Sequence, residues 1–375
     1  MKGSIRPRSK GKWELTIDMG KDGEGKRLRK FETVNGTKGA AQQRLRELLT
    51  TLDRGIPLPN QKITFGEWLS KWLEDYVIPN TRQKTVERYA GLIRKHIIPA
   101  LGMIELTKIT PSQIQGLESQ LSKEGMAPQG VHLVHNVISG AFKYALRMEV
   151  AWRNPAKSVT PPRITRDEVE PPNIALVKGI LKTAEEDKHP LFACLHLMAY
   201  TGIRRGEALG LRHRDLNLES GNISIVQSLG RSLDGMIVQP TKTRAGRRSL
   251  NIDAGTVDVL RAHLGNQLLH RSEIGSTYQE NGYVFPDLLG EPLNPMKLTR
   301  AFQSLAKQQG ASKVKLHDLR HFHATILLQN GESILLVAKR LGHASVSTTG
   351  DVYGHLLPGW QQEAADRFAK VMREP

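Results

Sequence analysis

A single cysteine, Cys194, stands in a chain of 375 residues. One thiol can build neither a disulfide framework nor a multi-cysteine zinc site, so the composition suits a reducing compartment. Long apolar runs are missing too. Stretches such as "PLFACLHLMAY" fall well short of the roughly 20 apolar residues that cross a bilayer as a helix. The basic start "MKGSIRPRSK" is not followed by the apolar segment of a signal peptide. A cytoplasmic protein without a membrane partner is the expectation. Acidic residues are in short supply, 37 Asp and Glu against 54 Lys and Arg, and the net charge is +17. Such an excess points to a polyanion, most often nucleic acid, over the bland role of keeping the chain soluble. It is also uneven: residues 1–60 carry 14 Lys and Arg against 7 Asp and Glu.

What is present divides into three segments. Residues 1–55 read as a small α/β module. "KWELTID" turns Trp13, Leu15 and Ile17 to one side, the period of a half-buried strand. "DGEG" supplies a turn, "KRLRKFETV" a partner strand, and a further short strand is expected before Trp13. A helix over about 38–53 follows, with Thr37 at its N-cap and Gly55 just past its end. After the linker "GIPLPNQ", residues 63–157 read as an all-α domain. Thr64 and Glu67 form a capping box, Thr110 and Pro111 an N-cap and first helical position, and "QGVHLVHNVISGAFKYALRME" a long fourth helix. His132 and His135 on that helix read as packing or surface residues rather than ligands. The proline-rich "TPPRITRDEVEPP" (160–172) is an extended linker into a mainly α domain at 173–375 with a three-stranded β-meander. The meander consists of "NISIVQ", "MIVQPT" and "RRSLNI".

Four segments of the last domain carry groups suited to chemistry. In "YTGIRRGEALGL" a Thr-Gly break separates an apolar helix from a second one opening at Arg204, with Glu207 one turn on to orient the arginine. A guanidinium fork beside free helix N–H groups suits a phosphate, although an Arg–Glu pair on a helix is, taken alone, more often a surface salt bridge. Lys242 lies in "TKTRAG", between the last two strands, where a lysine either idles in solvent or swings toward a ligand. In "KLHDLRHFHATILLQNG", His317 and Arg320 share a helix face. His317 and His321, four apart, raise a zinc reading, but no glutamate of the zinc-helix type and no third ligand accompany them. Finally, "ESILLVAKRLG" is an amphipathic helix closed by Gly342, with His343 in the following turn. Ser345 or Ser347 then caps a short helix bearing Tyr353, in which Gly350 weakens the helix by about 1 kcal/mol relative to alanine. Tyr353, one of only seven tyrosines, stands in a Ser/Thr-rich segment rather than an apolar one, so a loosely held, reachable hydroxyl is the expectation.

Taken in order, "TGIRRGEALGL", a hairpin lysine, "HDLRH" and "LGHASVSTTGDVYGH" resemble the tyrosine recombinase (phage integrase) family. The likeness covers about 173–360; upstream, the layout resembles the family's helical core-binding domain and the arm-type DNA-binding module of some phage and conjugative-element integrases. The resemblance implies Arg204, Lys242, His317, Arg320 and His343 around a nucleophile, Tyr353. It implies transesterification through a 3′-phosphotyrosyl intermediate with no metal, ATP or other cofactor. His317 would accept the tyrosine proton, Lys242 would protonate the leaving 5′-oxygen, and His343 would hydrogen-bond a phosphate oxygen. Double-stranded DNA at core and arm sites, a homotetramer on DNA, and accessory DNA-bending or directionality factors are the partners it implies. The amphipathic "GWQQEAADRFAKVM" at the C-terminus docks either on a neighbouring protomer or on its own domain. A non-catalytic repressor would account for the charge but not for this set of residues. A topoisomerase would share the chemistry but not need the basic N-terminal module, and a phosphate-handling metalloenzyme would need clustered carboxylates.

Overall fold

The computed structural model describes residues 3–9, 11–21, 27–53, 63–164, 170–233, 235–241, 244–353 and 360–373. The expected "DGEG" turn and the whole of "GIPLPNQ", Gly55 included, lie outside these residues, as does Lys242. The chain divides into two compact units, Met1–Thr165 and Arg166–Pro375, within the proline-rich segment.

The first unit holds two separate apolar clusters. Strands β1 (Gly3–Ser9), β2 (Lys12–Lys21) and β3 (Arg27–Asn35) form an antiparallel sheet in that order, followed by the helix Lys38–Asp53. Leu15 pairs with Ile5 and Glu32, and Ile17 with Gly3 and Lys30, so these positions share one face. There Leu15 and Ile17 are fully buried against Ala41, Leu45 and Leu48 of the helix. The opposite face carries Arg6 opposite Glu14 and Phe31 opposite Thr16, and Phe31 is exposed.

The rest of the first unit is helical. Thr64 caps the helix Phe65–Trp72 in a reciprocal box with Glu67, and Thr110 does the same with Gln113 for Pro111–Lys123. Two helices widen into single π-turns, Leu73–Val77 and Ile93–Ile97, immediately before Ile78-Pro79 and Ile98-Pro99. Proline offers no N–H and its ring crowds the carbonyl four residues back. The wider turn relieves this, with the N–H groups of Ile78 and Ile98 reaching the carbonyls of Leu73 and Ile93, five residues back. His132 bonds the Pro162 carbonyl and His135 the buried Glu118, so both are packing residues.

In the second unit, helices Ile174–Glu186, Phe192–Thr201 and Pro295–Gln308 enclose one apolar core. The strands differ from the expected meander. "NISIVQ" divides at Val226 into β5 (Asn222–Ile225) and β6 (Gln227–Ser232). Strand β7 (Gly235–Pro240) pairs with β6 as a hairpin, whereas β8 (Arg248–Asn251) pairs with β5, which also pairs with the short β4 (Leu216–Asn217). The physical reason is local to Pro240, which closes β7 without an N–H to extend a ladder. The following 3-10 turn Arg244–Gly246 then carries the chain to the other half of the long stretch.

Candidate active site

The site is assembled from helix ends. The helix Phe192–Thr201 stops at Gly202, whose φ of +66° is a left-handed conformation costly for any side chain with a Cβ. Arg204 then caps the short helix Arg205–Gly210, as the sequence predicts. Gly206 and Gly210 let this helix lie directly on β6: a Cβ on Gly206 would meet the Ser228 hydroxyl and stand 2.6 Å from the Leu229 carbonyl oxygen, and one on Gly210 would stand 3.1 Å from the Leu229 nitrogen. This close approach holds Arg204 in place.

The arginine is oriented by Glu207, whose Oε1 accepts from its Nη1 at 2.8 Å and whose Oε2 accepts from its backbone N–H at 3.0 Å. Glu207 is itself buried and pairs on its other side with Arg248 at 2.9 Å. Burial alone would push the Glu207 carboxyl up. Arg248 first, then Arg204, more than offset this and hold it below the usual carboxylate range.

Arg320 enters from the helix Asp318–Gln329 and is only 2% exposed. Its Nη1 donates to the Gly202 carbonyl at 2.9 Å and its Nη2 to the Leu341 carbonyl at 2.7 Å. Both acceptors lie at helix C-termini, where unpaired carbonyls carry partial negative charge. Arg204 donates to the same Leu341 oxygen at 3.5 Å and to that of Gly342 at 3.4 Å. Burial, and then the neighbouring Arg204 charge, lower the Arg320 pKa to about 9. Three guanidinium groups thus surround one carboxylate, and the local field favours an anion.

His343 follows the helix Ile334–Leu341, which closes at Gly342 with φ +67°. The backbone N–H of His343 reaches Ala338 and its Nδ1 lies 2.8 Å from Thr349 Oγ1. Burial, then Arg320, Arg204 and Arg248, depress its pKa to about 4, so the ring is neutral near pH 7. His317 is placed at the N-cap of Asp318–Gln329 rather than within it, with its outer edge exposed. Protein crowding its inner side, then His321 and the cations Arg320 and Arg204, lower its pKa as well.

Tyr353 ends the helix Val346–Tyr353, which Ser345 caps through a 3.2 Å bond from Ser347 N–H. Here the structure corrects the sequence reading in two ways. The tyrosine is not displayed to solvent: it is 1% exposed and packs with Ala324, Leu328, Val337 and Leu341. Its hydroxyl meets not His317 but His321, whose Nδ1 lies 2.8 Å away. His317 sits before the first helical turn, and the His321 ring contacts both others, at 5.1 Å from His317 and 5.7 Å from Tyr353. The zinc reading of the histidine pair gains no third ligand, since among the described residues no group of three His, Cys, Asp or Glu could hold a metal.

Arg204, Arg320 and His343 therefore converge, with Tyr353 close enough for Arg320 to act on its charge. The sequence reading missed Arg248, and weighed His321 only as a zinc partner of His317. Arg248 was legible in part, because the alternation of "RRSLNI" puts it on the same strand face as buried Leu250.

The chain matches the phage integrase family over residues 175–359 and the N-terminal SAM-like domain of phage integrases over residues 64–122. It belongs to the phage integrase family. It is thus an enzyme of the tyrosine recombinase class, acting in site-specific DNA recombination. Among its relatives is a "tyrosine recombinase XerC-like" protein of Caldanaerobacter subterraneus subsp. tengcongensis, 27% identical with 94% of this chain and 95% of that protein covered. The ICEBs1 integrase of Bacillus subtilis is also 27% identical, over 98% of this chain and all of that protein. The fold matches that of the Tn1549 transposon integrase, solved in complex with a circular intermediate DNA. The TM-score is 0.69 at 18% identity, covering 82% of this chain and 99% of that one.

Proposed function

We propose that this recombinase integrates or excises a mobile element by cutting and rejoining duplex DNA through Tyr353, with Arg204 and Arg320 gripping the scissile phosphate. The observation that carries this reading is the shared acceptor: two guanidiniums from distant segments donate to one carbonyl oxygen, that of Leu341. Paired forks so held can each clasp a non-bridging oxygen and stabilise the charge that builds as phosphorus becomes five-coordinate.

In the cleavage step the Tyr353 oxygen attacks phosphorus and the bond to the 5′-oxygen breaks, leaving a 3′-phosphotyrosyl link and a 5′-hydroxyl. The phosphodiester energy is conserved, so a second strand's 5′-hydroxyl can reverse the step without ATP. Lys242 protonates the leaving oxygen, and His343 and His317, both neutral, donate hydrogen bonds to the phosphate. Each chain offers one nucleophile and exchange between two duplexes breaks four strands, so a homotetramer on DNA is the working assembly. Residues 173–375 are the catalytic domain, 63–157 the core-binding domain and 1–55 an arm-binding module. For the module, the support is an open sheet face bearing Arg6 and exposed Phe31. Accessory bending or directionality proteins would act through the DNA. Among the described residues no helix is long and apolar enough to cross a membrane, and we place the enzyme in the cytoplasm on nucleoid DNA.

The test is a suicide duplex carrying a 5′-bridging phosphorothiolate, built on sequences selected by binding from a random library. Without metal, the intact chain should form a protease-sensitive covalent adduct. Tyr353→Phe should bind this DNA nearly as well and form none. Adducts from the Phe variant would reassign the nucleophile, and none from the intact chain would end the reading.

A further inference from the structure

We propose that His321 is a catalytic residue of strand cleavage, the imidazole that takes the proton of Tyr353 as the phenol oxygen attacks phosphorus. The inference rests on the function proposed above and assigns the one proton whose acceptor that function leaves open.

The hydroxyl of Tyr353 has one side-chain partner among the described residues, Nδ1 of His321 at 2.8 Å. With the imidazole proton on Nε2, the hydroxyl donates to a free Nδ1 lone pair. The reaction needs this acceptor because of where the phenol sits. Its ring lies in an apolar cluster, and burial, opposed by the Arg320 charge, pushes its pKa up to about 12. A phenolate does not form there ahead of attack, so the proton must leave during it, to a base already in contact.

His321 has the character of that base. Burial first, then Arg320, lower its pKa, while Asp318 raises it. The groups that face it are Asp318 and Arg320 on its own helix, His317 at the helix start, His343 from the neighbouring turn, and Tyr353. The same two-residue unit serves both reactants. Arg320 points to the helix-end carbonyls where the phosphate would be gripped, and His321, about 100° further round the helix, meets the nucleophile. Proton and electrons balance: the Tyr353 oxygen bonds to phosphorus, its proton moves to Nδ1, the bond to the 5′-oxygen breaks, and that oxygen is protonated from Lys242. In rejoining, His321-H⁺ returns its proton to the departing phenol oxygen.

The experiment uses the full chain and the library-selected suicide duplex, as the ordinary phosphodiester and as the 5′-bridging phosphorothiolate. His321→Ala should form adduct on the order of 10²–10⁴-fold more slowly on both substrates, because a thiolate leaving group removes the need for an acid but not for a base. His321→Gln keeps an amide near the hydroxyl but cannot take up a proton, and should be as slow. Added imidazole should restore part of the rate to His321→Ala and none to His321→Gln. Gel shifts on the same duplex should be unchanged for both. Near-normal cleavage by either variant overturns the proposal, and so does slow cleavage of His321→Ala with intact binding and no imidazole rescue, which would leave His321 only positioning the ring. If the intact chain forms no adduct at all, it is the recombinase site itself that has been misread.

Discussion

Glu207 and Arg248 form an ion pair of 2.9 Å in which the side chains are only 4% and 7% exposed. The same carboxylate orients Arg204, and Arg248 Nε donates to the carbonyl of Arg340 at 2.6 Å. One buried charge therefore ties the short helix bearing Arg204 to β8 and to the helix end that receives Arg320. Removing one member of such a pair leaves the other uncompensated. Glu207→Gln should destabilise the protein by about 3 kcal/mol and slow cleavage, both measurable on the intact chain by urea titration and adduct formation. Unchanged stability would mean that water reaches the pair.

Arg204→Lys and Arg320→Lys should both cut cleavage sharply, since an ammonium cannot reproduce the planar grip. They should differ in stability. Arg320 is buried between two carbonyls, whereas the Arg204 side chain is 40% exposed. Only the Arg320 variant should lose melting temperature. Near-normal cleavage by both would remove them from the phosphate site.

Lys242→Ala should slow cleavage of an ordinary phosphodiester far more than that of a 5′-bridging phosphorothiolate. A thiolate departs without protonation, so a general acid becomes dispensable. Equal slowing on both substrates would make Lys242 a phosphate ligand instead.

Acid should weaken the folded state through buried imidazoles. His323 is 8% exposed and accepts from Arg340 Nε at 3.1 Å. Burial, then Arg340, push its pKa down to about 3 from an ordinary 6.5. A base depressed on folding contributes stability above its unfolded pKa, and that contribution is lost as pH falls toward the folded value. Stability should thus be level above about pH 7 and decline between about 6.5 and 3. Denaturant titrations at several pH values should show a shallower decline for His323→Gln; an identical slope would assign the acid lability elsewhere.

Deleting residues 1–55 should leave cleavage of a short core-site duplex intact, because every proposed active-site residue lies in the second unit. Recombination between long substrates should suffer, since a tethered second DNA contact raises the effective concentration of the first. Full recombination by the shortened chain, with no sequence preference in the isolated segment, would remove the arm-binding role.

Much of this molecule follows from short-range rules. The Thr64–Glu67 box, the Thr110 cap, the Gly202 break before Arg204 and the Gly342 stop before His343 all depend on residues within one turn of each other. Each could therefore be read from the chain alone. So could the order of chemistry-bearing residues, because spacing along a helix sets which of them share a face. Partner choice across long separations could not. β8 pairs with β5 rather than β7 because the chain turns after Pro240, and alternation looks the same whichever neighbour a strand takes. The Ser/Thr-rich context of Tyr353 gave no sign that its ring would be buried, since the covering residues Ala324, Leu328, Val337 and Leu341 come from two other helices. Likewise two histidines four residues apart are equivalent by spacing. Only the packing of Val346–Tyr353 against Asp318–Gln329 decides that His321, and not His317, receives the hydroxyl.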